Sequence, residues 1–161
     1  MVGALNNFTG YAGLVAGATN EVEGSHATVT GGRRNSSRAQ YASVSGGLFN
    51  SAAGSHSSVT GGGVNNALGY ASTVSGGSFN TASGGSSSIS GGFDNRTFAE
   101  DSSISGGEDN TTDGGAYSAS ISGGRSNFAV GRWSSITGGD LRTATPEFCV
   151  VGESGVDCPI P

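Results

Sequence analysis

Hydroxyl groups dominate the chemistry open to this chain, and they come in pairs. Thr28 and Thr30 flank Val29, Ser43 and Ser45 flank Val44, Ser58 and Thr60 flank Val59, and Thr73 and Ser75 flank Val74. Ser88 and Ser90 flank Ile89, Ser103 and Ser105 flank Ile104, Ser120 and Ser122 flank Ile121, and Ser135 and Thr137 flank Ile136. A serine or threonine becomes a nucleophile only beside a base that removes its proton. The chain holds two histidines, His26 and His56, and no lysine, so the pairs lack the parts of a dyad or triad. No enzyme activity and no catalytic residue is expected. What regularly spaced hydroxyls can do is give and take hydrogen bonds along an ordered surface.

Metal chemistry fares no better. His26 and His56 stand two repeat units apart, about 9–10 Å on β-strand spacing, which is too far for one ion. Gly91-Gly92-Phe93-Asp94 and Gly106-Gly107-Glu108-Asp109 faintly resemble calcium-binding β-roll repeats. Those repeats have a nine-residue period and an acid in every unit, whereas here the acid appears in few units and no oxygen-ligand set recurs. The glycine pairs lack the lysine and the strand-to-helix order of a phosphate loop. Neither a metal nor another cofactor is expected.

The elements that carry the hydroxyl pairs follow from the period. Gly-Gly pairs begin at Gly31, Gly46, Gly61, Gly76, Gly91, Gly106, Gly123 and Gly138, a step of fifteen residues with one exception of seventeen. With Gly-Gly as columns one and two, column fourteen is Val or Ile from Val15 to Val151, and column five is Asn from Asn6 to Asn127, replaced by Arg142 at the end. Column seven is small or apolar, as in Phe8, Val22, Ala52, Ala67, Ala82 and Ala129, and column nine is mostly Gly. No 3.6-residue stripe exists, and Gly, Ser, Asn and β-branched residues are middling or poor helix formers. Columns twelve to fifteen instead alternate as a strand with one buried face, and columns five to seven form a second strand, with glycine at columns one, two and nine supplying the turns. The fold class is all-β: a parallel β-solenoid of nine to ten coils, in which a file of Val and Ile faces a file of Ala. Such units gain stability only by stacking on their neighbours.

Composition agrees. Of 161 residues, 34% are hydrophobic and 31 are Gly, too little apolar mass for a conventional core. Only 12% are charged, which argues against charge-driven disorder. The net charge is −5 and the seven basic residues, all Arg, are scattered. Nucleic acid is therefore not an expected partner. No apolar run is long enough to span a bilayer and no basic leader precedes one, so the sequence reads as a mature or excised segment.

Three further features carry expectations. The Asn column is structural, with amides bonding from rung to rung and Asn accepting the turn conformation beside Gly-Gly; the sequons Asn95-Arg96-Thr97 and Asn110-Thr111-Thr112 fall in it. Phe49, Val64 and Phe79 in column four either face outward as an apolar interface or tuck inward at the glycine turn. Cys149 and Cys158 either close a disulfide, pointing to an oxidising compartment, or remain free thiols. The solenoid is expected to occupy residues 1–144, with 145–161 as a capping segment, and the seventeen-residue unit to bulge outward around Gly115 to Ala119.

Two resemblances follow from these residues. Asn80-Thr81-Ala82-Ser83-Gly84-Gly85-Ser86-Ser87-Ser88-Ile89-Ser90-Gly91 resembles the head repeat of YadA-type trimeric autotransporter adhesins, over a stretch from about Val2 to Gly139. That resemblance implies a left-handed parallel β-roll, a homo-oligomer and usually a trimer, displayed at the cell surface or secreted to meet an extracellular surface or matrix ligand. The family's strand tends to carry a second aliphatic where this chain has hydroxyls. The hydroxyl pairs themselves are similar to the Thr-x-Thr ladder of insect β-solenoid antifreeze proteins, which implies ice as the alternative partner. Most positions here are Ser, which lacks the methyl group of Thr, and the same residues could simply solubilise a face or line a subunit interface.

Overall fold

Val29 lies beside Val44 in parallel register, Val44 beside Val59, and Val59 beside Val74. The file continues through Ile89, Ile104, Ile121, Ile136 and Val151. In the computed structural model, which describes residues 1–145, 147–152 and the backbone of 155–157, this file is the inward row of a twelve-stranded sheet. Most of its strands are two residues long, such as Ser58–Val59 and Ser88–Ile89. A second sheet of ten parallel strands runs from Asn7–Phe8 to Thr143–Ala144. As far as Val150–Gly152, successive strands of the chain alternate between the two sheets, so each coil adds one rung to both, and about ten coils make a rod some 45 Å long. Single parallel bridges in column three, from Ala18 through Arg33, Leu48, Gly63, Ser78, Phe93, Glu108 and Arg125 to Asp140, form a third, thinner row.

The interior is narrow. The Val and Ile file meets Ala52, Ala67, Ala82, Ala129 and Ala144 from the other sheet and Ala27, Ala42 and Ala119 from column twelve, all fully buried. Column seven is less uniformly apolar than expected, because Ser37, Thr97 and Thr112 are buried there too. Their hydroxyls find partners across the core: Ser37 Oγ donates to the Ala42 carbonyl at 2.8 Å, Thr97 Oγ1 donates to Ser87 Oγ at 2.9 Å, and Ser102 Oγ lies 3.0 Å from Thr112 Oγ1. Burying a Val or Ile is worth roughly 1.5–3 kcal/mol. One such residue per coil leaves much of the order to the backbone ladders.

The corners correct the expected division of labour. Left-handed backbone falls on non-glycine residues in columns four and eleven: Phe49, Val64 and Phe79 have φ of 59°, 58° and 61°, and His26, Tyr41 and His56 have 59°, 57° and 61°. Glycine is needed at column two for conformation and space together, since Gly62 has φ of 82° and a Cβ there would lie 2.1 Å from the Gly77 carbonyl oxygen. At column nine the requirement is close approach alone, with a Cβ on Gly54 falling 2.0 Å from the Gly69 oxygen. Column one is open: a Cβ on Gly61, Gly76, Gly91 or Gly106 meets nothing within 4 Å.

The Asn column is buried, but its amides bond mainly to backbone rather than to one another. Asn50 Nδ2 donates to the Gly46 carbonyl of its own coil at 2.8 Å and to the Gly62 carbonyl of the next at 3.0 Å. One amide-to-amide bond is present, from Asn80 Nδ2 to Asn65 Oδ1 at 3.2 Å. The sequon residues Asn95 and Asn110 have 0% exposure, so the folded rod leaves no room for a glycan on either.

In the seventeen-residue coil the extra pair is Gly114–Gly115, exposed between Asp113 and Ala116. Ala116 donates its N–H to the Asp113 carbonyl at 2.9 Å, and both ladders keep register, Ser103 opposite Ser120 and Thr111 opposite Phe128. The parallel ladder continues past residue 144, as Val150–Gly152 pairs with Ser135–Ile136. Gly155–Asp157 then pairs antiparallel with Val150–Gly152, covering the edge a further coil would use. Cys149 is fully buried and is not a free thiol; Cys158 lies outside the described residues.

Candidate functional site

Strand parity places both hydroxyl files on the outer side of the twelve-stranded sheet, opposite Val and Ile. Thr28, Ser43, Ser58, Thr73, Ser88, Ser103, Ser120 and Ser135 stand in parallel register, half-buried between neighbouring rungs. Thr30, Ser45, Thr60, Ser75, Ser90, Ser105, Ser122 and Thr137 form the exposed second file. Rungs also bond to each other, with Ser43 Oγ donating to Ser58 Oγ at 3.3 Å, Ser120 Oγ to Ser135 Oγ at 3.1 Å, and Thr30 Oγ1 to the Ser45 carbonyl at 2.9 Å.

From Thr28 to Thr137 these files contain no charge and no bulky side chain. The outward positions of the ten-stranded sheet differ from coil to coil, with Glu21, Arg38, Leu68, Arg96, Phe98 and Asp113 among them. One side of the rod is chemically uniform and the opposite side is varied. A uniform side is a regular grid of donors and acceptors at rung spacing, suited to a partner that is itself extended and regular.

Column four faces outward. Phe49, Val64 and Phe79 are 44%, 36% and 48% exposed, and Leu48 and Phe93 in column three extend the same apolar stripe. The φ near 60° at each column-four residue throws its side chain off the corner, which excludes the inward alternative. Phe79 and Phe93 meet edge to face at 5.4 Å, and the Arg34 guanidinium lies over the Phe49 ring at 5.1 Å.

A further corner escaped sequence reasoning. His26 and Tyr41 stack at 5.0 Å and Tyr41 and His56 at 4.9 Å, with Tyr11 and Tyr70 edge-on at the ends. The fifteen-residue spacing of His26, Tyr41 and His56 was the available signal, because equal columns become neighbours along the rod. Toward the other end, Arg125 grips Asp140 with two bonds at 2.7 and 3.1 Å, holding that carboxyl below its ordinary range and raising the guanidinium. The Tyr117 phenol is pushed up, chiefly by its hydrogen bond with Asp101.

Among the described residues no pocket is present, so recognition would run over faces and corners. Compared with family models and with curated proteins, the chain matches none.

Proposed function

We propose that the chain is a non-catalytic β-solenoid rod, secreted or displayed at a cell surface, that meets an extended extracellular partner through its hydroxyl face in the manner of an adhesin head or fibre segment. The observation that carries this reading is the contrast between the uniform outer side of the twelve-stranded sheet and the varied outer side of the other. A coil under no demand beyond folding has no reason to keep one outward side free of charge and bulk through eight rungs while the opposite side varies. Cys149, buried and not a free thiol, supports an oxidising compartment. The test is adsorption of labelled rod to immobilised matrix proteins and polysaccharides, with Ser88→Tyr/Ser90→Tyr as the variant. Retention that the variant reduces at least tenfold supports the reading, and equal retention of both proteins overturns it.

A second reading has its own observation. Two hydroxyl files flank a buried aliphatic file on one face at fixed spacing, a two-dimensional array that can order water or meet an ice lattice. Thermal hysteresis and ice recrystallisation separate the readings: activity lost in the same variant favours ice, and unaltered ice growth at high protein concentration removes it.

A further inference from the structure

The column-three and column-four corner is complementary to itself when its direction along the rod is reversed. Starting from the Arg33–Arg34 coil, successive rungs present Arg33 and Arg34, then Leu48 and Phe49, Gly63 and Val64, Ser78 and Phe79, Phe93 and Asp94, and finally Glu108 and Asp109. A basic end, an apolar middle and an acidic end thus lie in line over six rungs, about 24 Å. We propose that a second copy of this chain docks antiparallel along this corner, about a two-fold axis passing between the coils of Val64 and Phe79.

Such an axis brings Arg33 and Arg34 of each copy to the level of Glu108 and Asp109 of the other, at both ends of the stripe. It places Leu48 opposite Phe93 and Val64 opposite Phe79. Because both copies share one rung spacing, alignment at the axis aligns every level. Further outward, column four sets Thr19 against Ser126 and Leu5 against Leu141, the two leucines being 85% and 75% exposed, while column three sets Ala18 against Arg125 and Ala4 against Asp140, two charges already paired with each other within the chain. Asp94 falls opposite Phe49, and its charge is already held by Arg96 of its own chain at 2.6 Å. Among the described residues Arg33, Arg34 and Glu108 have no ion pair within the chain, so these charges are available to a partner.

Charge also decides against the parallel arrangement. In a parallel dimer or trimer about this corner, Arg33 and Arg34 of all copies would meet at one level, and Asp94, Glu108 and Asp109 at another. Like charges brought together across an interface suppress that association. An isologous contact joins a patch to itself with the direction reversed, which is what a stripe basic at one end and acidic at the other requires. The ridge is about two residues wide and buries less than the roughly 1,600 Å² of a standard interface, so the pair is expected to dissociate in the micromolar range. This inference does not depend on the hydroxyl face.

Sedimentation over a concentration series, with circular dichroism to verify folding, tests it. The native chain is expected to form a dimer. Arg33→Glu/Arg34→Glu and, separately, Glu108→Arg/Asp109→Arg should each weaken the dimer at least tenfold and sediment as monomers. Mixing the two variants should restore dimers, because each heterodimer then has opposite charges at both ends, and a chain carrying all four changes should dimerise again. A native chain that stays monomeric at high concentration, a trimer, or folded variants whose mixture stays monomeric would each overturn the proposal.

Discussion

Asn35 Oδ1 accepts the backbone N–H of Asn50, one coil further on, at 2.9 Å. The same bond links Asn50 to Asn65, Asn65 to Asn80, Asn80 to Asn95, Asn95 to Asn110 and Asn110 to Asn127, each at 3.0 Å. Each of these amides also donates to one glycine carbonyl in its own coil and one in the next. A single buried side chain therefore fixes the Gly-Gly corner and joins consecutive coils.

Asn65→Ala should cost about 2 kcal/mol, because it removes the partner of the buried Asn80 N–H and of the part-buried Gly61 and Gly77 carbonyls. Urea unfolding followed by circular dichroism measures it. A loss below about 1 kcal/mol would mean that the amide is replaceable by water.

Gly62→Ala and Gly61→Ala form a matched pair at adjacent positions. The first puts a Cβ 2.1 Å from the Gly77 oxygen and 2.7 Å from Asn65 Nδ2 at a φ of 82°, while the second meets nothing within 4 Å. Thermal unfolding should show a loss of roughly 2–4 kcal/mol for Gly62→Ala and a change within about 0.5 kcal/mol for Gly61→Ala. Equal effects at the two sites would sink the assignment of the corner to column two.

The Asp140 carboxyl should titrate below its ordinary value of 3.8, because Arg125 favours the charged form. Its folded pKa is depressed, so whatever stability the pair adds is present above the unfolded value and is lost as pH falls through the lower, folded one. The pair is solvent-exposed, so the stability effect is small and salt-sensitive. An NMR titration of the Asp140 side chain should report the shift at low ionic strength and its reduction in high salt; an unshifted midpoint in both would show that the bidentate contact does not persist in solution.

The residues that repeat most strictly made most of the fold readable. Val29, Val44 and their successors, set between hydroxyls, already specify a strand with one buried side, and the fixed step specifies parallel stacking. The corners were less legible, since left-handed backbone at Phe49, Val64 and His26 leaves no mark on residue type. An L-residue bears a cost of roughly 1–2 kcal/mol there, which the ladders on either side offset, so left-handed backbone demands glycine only at column two, where space is also short. The Asn ladder was placed correctly but its partners were not, because the carbonyls of Gly46 and Gly62 come within reach only once the coil has closed. The hydroxyl files were visible as a pattern. The stacked corner of His26, Tyr41 and His56 becomes a unit only when residues fifteen apart are set side by side.

Gly114–Gly115 enters the rod between Asp113 and Ala116 while Ser103 still meets Ser120 and Thr111 still meets Phe128. Height along the axis is thus counted in rungs and not in residues, and girth is free to vary at that junction. The solenoid behaves as a graduated staff: a longer loop inserted at this corner would hang at a known level, leaving every mark above and below where it was.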